Sequence, residues 1–242
     1  MTEDALSELI HAGTLTAGIN LSNGLLVTGT GADGRPQGVA PDMAAALAAH
    51  LGLGVAYVTY ATPGEVADAV ARGEWDVGLI AEDPTRAETI AFCGAYAEIE
   101  ATYLVPADSP FHAVEDVDRP GVRIAVSERS AYDLYLARTL AYAELRRAKG
   151  FPGACALFVS EKLDALAGLV PQLQEGAEDL PGSRVIPGRY TSVRQAIGTR
   201  PENVALKRVI EGFLAEAKAS GLVAGLIEKH GVAGKLAVAA DT

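Results

Sequence analysis

Apolar residues in the first eighty positions fall into short runs separated by stretches of helical spacing. Leu6–Ile10 has the spacing of a short amphipathic helix, and Thr14–Asn20 reads as a first strand. Pro41 opens a helix through His50 that Gly52 closes, and Val55–Tyr60 reads as a second strand. Thr62-Pro63-Gly64-Glu65 has the form of a capping box with proline at the first helical position, and the helix it starts ends at Gly73. Trp75–Ala81 is then mostly apolar and bounded by Gly73 and by Glu82-Asp83-Pro84, the pattern of a strand buried on both faces. Strand, helix, strand, helix, strand predicts a right-handed parallel α/β unit.

The second half continues in the same style. Ala101–Val105 and Val122–Val126 read as buried strands, with a loop opening at Ser109-Pro110. The text from Leu140 to Lys149 predicts a helix ending at Gly150, Ala156–Val159 a strand, Ser160-Glu161-Lys162 the cap of a short helix, and Asp164–Gly168 another strand. Val185–Ile186 and Ser192–Ile197 are the last strands. Leu206, Val209, Ile210, Phe213, Leu214 and Ala217 recur at helical spacing until Gly221, and the tail after Gly231 is expected to fray.

Two places in this pattern suggest ligand chemistry. Asp83-Pro84 reads as an N-cap followed by proline, which puts Arg86 in the first turn of a short helix just beyond Ala81, the end of the central strand. Ligands of open α/β sheets bind outside the carboxyl ends of the strands, and a guanidinium there suits a bidentate grip on a carboxylate. The alternative is a surface arginine paired with Glu82 or Glu88. Farther on, Val122–Val126 runs into Ser127-Glu128-Arg129-Ser130, and Ser130-Ala131-Tyr132-Asp133 is a cap signature that leaves a helix N-terminus as a second anion site. A plain cap would use the same groups. Tyr60, ending the second strand, is either an aromatic wall for the ligand or a half-buried strand tyrosine. Asn20 and Asn23 occupy the first loop able to face a ligand.

Gly29 to Gly34 matches G-x-G-x-x-G, but Arg35-Pro36-Gln37-Gly38 follows where a dinucleotide fingerprint needs a helix to open, so Asp33-Gly34 reads as a hairpin turn. The chain has 242 residues, 49% hydrophobic composition and a formal net charge of −11, which excludes disorder and argues against nucleic acid or an anionic membrane surface as partner. His11, His50, His112 and His230 are scattered singly and no metal or cofactor motif is present, so no cofactor and no metal are expected. Cys93 and Cys155 are expected to remain free thiols. The start, MTEDALSELIHAG, lacks the apolar core of a signal peptide and no run is long enough to span a membrane, so the expectation is a cytoplasmic protein, or a periplasmic one whose leader has been removed.

The succession GVAPDMAAALAAHLG, ADAVARGEWDVGL and R-x5-FCGAY resembles the extracellular solute-binding proteins of ABC importers, specifically the polar amino-acid family. Asp42, Gly73, Asp76, Arg86, Phe92 and Tyr96 fall on that family's G-F-D-x-D-L, L-x-x-G-x-x-D and T-x-x-R-x5-F-S-x-P-Y text. The resemblance runs from Thr14 to about Gly231 and implies the two-lobed α/β fold of type II periplasmic binding proteins, with lobes 1–98 plus 191–242 and 99–190. It implies a monomeric bacterial protein, not an enzyme, that captures a small carboxylate-bearing ligand by hinge closure, with an ABC permease as candidate partner. A cytosolic sensor or carrier, and a lyase akin to the cyclohexadienyl dehydratases using Glu161 or Lys162, are the alternatives. By the same resemblance Arg86 grips the ligand carboxylate with Ser130 opposite, and Ala81, Ser127, Tyr60, Asn20, Asn23 and Leu169 complete the site. The chain departs from the family in three places. Asn20 and Asn23 replace an acid and an aromatic, the loop before Arg86 is about two residues shorter with Asp83 for a threonine, and Leu169 stands where amino-acid binders keep the aspartate that pairs the ligand ammonium. A buried ammonium without a counter-charge costs several kcal/mol, which favours a carboxylate without a free α-ammonium.

Overall fold

The computed structural model describes residues 2–240. The chain opens with α1 (Thr2–Ser7) and β1 (Thr14–Asn20), then a small hairpin of β2 (Gly29–Thr30) and β3 (Pro36–Gln37), followed by α2 (Val39–His50), β4 (Gly54–Tyr60), α3 (Pro63–Ala69) and β5 (Val77–Ala81). The long strand β6 (Ala91–Pro106) leads to β7 (Arg123–Ser127), α4 (Ala131–Thr139), β8 (Glu144–Ala148), α5 (Gly150–Ser160), β9 (Ala165–Leu169), α6 (Val170–Asp179) and β10 (Ser183–Val185). Last come β11 (Thr191–Thr199), α7 (Val204–Ala219), α8 (Leu222–Lys229) and β12 (Ala237–Val238). Residues up to Glu98 and from Arg194 onward form one compact unit, and Ile99–Val193 form another. The chain passes between them along β6 and β11.

In the first unit β1 lies between β4 and β5, parallel to both, and β11 runs antiparallel to β5. Two positions of the motif around Gly73 explain how the core closes. Gly73 adopts φ 63, a left-handed conformation that ends a helical turn cheaply only for glycine. Three residues later Asp76, with no solvent exposure, accepts the Ile10 amide at 2.7 Å and the Thr16 amide at 2.7 Å. Between them the Trp75 indole donates to the Val66 carbonyl at 3.0 Å and packs flat on the sheet. A Cβ added at Gly18 would come within 2.7 Å of that ring, so the strand beneath must be bare there.

The helices of this unit are fastened by side chains distant in sequence. Glu8 accepts the Ala205 and Leu206 amides at 3.1 and 2.8 Å and so caps α7, whose own N-cap, Asn203, makes no side-chain capping bond. Asp42 on α2 accepts from Lys229 and His230 at the end of α8, both at 2.7 Å. The segment after Gly231 is ordered, contrary to the expected fraying. Val232, Leu236 and Ala239 are buried, β12 pairs with β6, and Arg194 donates to the Ala240 carbonyl at 3.2 Å. Apolar residues at three-to-four spacing needed a groove that only the folded unit supplies.

In the second unit β9 lies between β7, which it parallels, and β6, to which it is antiparallel, while β8 lies parallel to β7 at the edge. Two expected elements are exchanged here. The stretch 140–149 forms a loop and β8 in place of a helix, because the Asp118 carboxylate accepts the Ala141, Tyr142 and Ala143 amides at 2.8–2.9 Å and draws the chain out of a helical path. Ala156–Val159 lies inside α5, where Ala154 and Phe158 face the core and Val159 is 54% exposed. A short apolar run is compatible with either state, and the helical spacing of 154 and 158 decides it. Ser160-Glu161-Lys162 consequently ends a helix and starts none. The thiols of Cys93 and Cys155 are free, one in each unit, and burial pushes the Cys93 thiol up to about 12.

Replacing Asp76 by alanine strands two buried amide donors, so Asp76→Ala is expected to lower stability by about 2–4 kcal/mol, with Asp76→Asn, which retains one acceptor, losing less. Urea unfolding followed by circular dichroism measures both, and equal losses for the two variants would show that the carboxylate is not the tie.

Candidate functional site

The carboxyl ends of the parallel strands gather the candidate residues of each unit. In the first unit Asn20 is in register with Tyr60 across β1 and β4, and Ala81 closes β5 at the same edge. Glu82 there leaves the strand to pair with Arg194 at 2.6 Å. The Asp83 carboxylate accepts the Thr85 amide at 2.8 Å and its carbonyl the Ala87 amide at 2.9 Å, a tight turn that delivers Arg86 into a single helical turn, Arg86–Glu88. The Arg86 side chain is 5% exposed and donates from Nη1 to the Ala81 carbonyl at 2.7 Å. The short loop thus folds the arginine back onto the end of its own strand, a cation buried at the sheet edge.

The other candidates of this unit have local partners. Asn20 accepts from the Ser22 amide and hydroxyl at 3.1 and 2.8 Å, and Asn23 accepts the Leu25 amide at 3.1 Å, so both asparagines shape turns. The Tyr60 ring packs with Val66, Trp75 and Ile90, and its hydroxyl donates to Glu74 at 2.8 Å. Burial, reinforced by the Glu74 carboxylate, raises this phenol above its ordinary range.

In the second unit Ser127 ends β7 and Leu169 ends β9. Ser130 is the N-cap of α4, with its side chain accepting the Asp133 amide at 3.1 Å. Asp133, 2% exposed, accepts the Arg129 amide at 2.8 Å and Arg147 Nε at 2.9 Å, and burial outweighs these partners so that its carboxyl is raised above the ordinary range. Arg129 holds φ 56, the left-handed bend that turns β7 into the helix. The Tyr132 hydroxyl is hydrogen-bonded to Ser130 and Ser127, and burial pushes the phenol up to about 12. Three hydroxyls therefore meet at the head of α4. Sequence reasoning missed Tyr132; its only signal was an aromatic residue two places after the cap. Leu169 is 4% exposed and caps α6 with no polar side chain.

Glu161 and Lys162, considered as an acid–base pair, lie elsewhere. They follow α5 and precede β9, at the strand's amino end, whereas Ser127 and Leu169 are at carboxyl ends. Among the described residues no cluster of His, Cys, Asp and Glu could hold a metal ion, and no helix is long and apolar enough to cross a membrane.

A family model described as bacterial extracellular solute-binding proteins, family 3, matches residues 27–233. No curated protein matches the chain. Among solved structures, a mutant of ArgBP from T. maritima aligns with a TM-score of 0.73 at 23% identity over 93% of this chain and 98% of that one. The ancestral amino acid-binding protein AncCDT-1, a precursor of cyclohexadienyl dehydratase, gives 0.72 at 24% identity over 90% and 94%. The amino acid ABC transporter substrate-binding protein AbpA from Streptococcus pneumoniae, bound to L-arginine, gives 0.72 at 18% over 90% and 94%. These likenesses show the fold, the two-lobed type II periplasmic binding protein.

Ser130→Ala removes the α4 cap and one partner of Tyr132, and is expected to lower stability by about 1 kcal/mol. Thermal unfolding measures this, and an unchanged midpoint would show that the hydroxyl is not needed to hold the helix.

Proposed function

The chain belongs to family 3 of the bacterial extracellular solute-binding proteins, and on that premise we propose that it captures a small carboxylate-bearing molecule through the Arg86 guanidinium. The observation that carries the reading is a guanidinium buried to 5% exposure just past the carboxyl end of β5, where ligands of open α/β sheets bind. A helix N-terminus headed by Ser127, Ser130 and Tyr132 supplies a second group suited to an anion. Capture is binding alone, with no bond made. The captured molecule is delivered to an ABC permease.

The ligand proposed is of amino-acid type in size but without a free α-ammonium: an organic or aromatic acid, or an amino acid whose nitrogen is masked. Leu169 supports this, since a leucine 4% exposed at the end of β9 offers nothing to a cation. Asn20 and Asn23, engaged in their own turns, add no charge. A lyase reading has one neighbour in its favour, the dehydratase precursor, but Glu161 stands away from the strand ends it would need.

Arg86→Ala is expected to weaken binding of the carboxylate by about 2–5 kcal/mol, and Arg86→Lys to lose much of the same, because an ammonium cannot reproduce two parallel donors. Calorimetry decides it, and an unchanged dissociation constant with the fold intact would make the arginine purely structural.

Ligand class is read by thermal shift, since a ligand that binds only the folded state stabilises it by about 2.7 kcal/mol at a hundredfold excess over Kd. Organic acids are expected to raise the melting temperature and arginine, glutamine and glutamate to leave it unchanged. The reverse pattern would refute the inference from Leu169. Leu169→Asp should create or strengthen amino-acid binding.

A further inference from the structure

A cavity of about 670 Å³ lies wholly within the second unit. Its lining comes from the end of β6 and the following loop, the last turn of α5, the turn into β9, and the turn before β10. It therefore opens at the amino end of β9, the opposite end of that strand from Leu169, and nothing in the capture site explains it.

Both walls are held in shape by arginines whose donors are spent on backbone. Arg184 donates to the carbonyls of Ala107, Ser109 and Phe111 at 3.2, 2.8 and 2.7 Å, which fixes the loop after β6. Arg123 donates to the Lys162 carbonyl at 2.8 Å, and its amide to the Asp164 carboxylate at 2.8 Å, which fixes the turn after α5. Lys162 is kept there at φ 47, a conformation that costs a lysine energy and that a free turn would relax. Such walls are built before any ligand arrives.

The lining is apolar in Pro110, Phe111, Phe158, Val159, Leu163 and Pro181, and Val159 is 54% exposed although it sits on a helix. Three charged side chains join them. Asp164 is neutralised by Arg123, Nε at 3.5 Å. Asp108 and Lys162, from different segments, have no hydrogen-bond or ion-pair partner for their side chains among the described residues. Both are solvent-exposed, so a singly charged ligand engages one of them and a molecule carrying both signs engages both. Small-molecule pockets span about 300–1,000 Å³, which suits this volume.

We propose that this cavity is a second binding site that takes a small zwitterion with an apolar body, of the size of an apolar dipeptide, its carboxylate on Lys162, its ammonium on Asp108 and its side chains on Phe111, Phe158 and Val159. The site is independent of the carboxylate site at Arg86.

Calorimetry with leucyl-phenylalanine, its N-acetyl form and its C-terminal amide tests this on the whole protein. The free dipeptide is expected to bind, and Val159→Asp to weaken it at least about tenfold by placing a charge in the apolar wall. Lys162→Glu is expected to weaken the free dipeptide about threefold or more while leaving the amide bound no more weakly, with Asp108→Asn weakening the free dipeptide but not the N-acetyl form. Circular dichroism confirms that these exposed positions leave the fold intact. No binding to the wild-type protein, or binding indifferent to both Val159→Asp and Lys162→Glu, overturns the proposal. So does binding that persists in those variants and disappears in Arg86→Ala, which would move the peptide to the capture site.

Discussion

Asp76 has no contact with solvent, and its two oxygens are consumed by the amides of Ile10 and Thr16. A carboxylate buried without such donors would be prohibitively unstable, so β1 must lie where it can supply them. That constraint sets β1 against β5, and with Gly18 bare beneath Trp75 it sets the depth at which the indole packs. The carboxyl ends of β1, β4 and β5 then share one edge, and the turn at Asp83 projects Arg86 from it.

The second unit builds its corresponding edge differently. No fully buried carboxylate ties its strands, although the half-buried Asp164 before β9 accepts the first amide of β7. Asp133 instead sits in the first turn of α4, bound by the Arg129 amide and by Arg147, and holds the bend between β7 and the helix. The left-handed Arg129 directs the chain so that Ser127, Ser130 and Tyr132 bring their hydroxyls together. One unit thus presents a buried guanidinium and the other a hydroxyl-rich helix N-terminus, two chemically different groups that suit the same kind of anion. Both edges lack an unpaired carboxylate among the candidate residues, and the buried Leu169 makes the end of β9 apolar.

Opposite signs of order appear at the ends of the second unit's sheet. At the carboxyl end, polar groups are paired with one another in buried positions. At the amino end of β9, arginines are spent on carbonyls, and two solvent-exposed charges, Asp108 and Lys162, border a largely apolar hollow.

The family, the α/β class, the strands β1, β4, β5 and β11 of the first unit and the position of Arg86 past β5 were legible in the sequence, whereas the first half of β6 and β12 were not. The features that encode them are local: a left-handed glycine, an aspartate three residues on, an apolar run bounded by breakers, a proline after an Asx turn. The hairpin at Asp33-Gly34 was legible for the same reason. What the sequence could not decide depended on partners far away in the chain. The stretch 140–149 has good helix formers and became loop and strand because Asp118, over twenty residues earlier, takes its amides. Ala156–Val159 had no periodicity long enough to separate strand from helix. The tail after Gly231 is ordered by β6 and Arg194, and the Tyr60 ring was drawn into the core by Trp75 and Glu74. Local geometry follows from a few neighbouring residues; pairing between distant ones exists only once the chain has closed on itself.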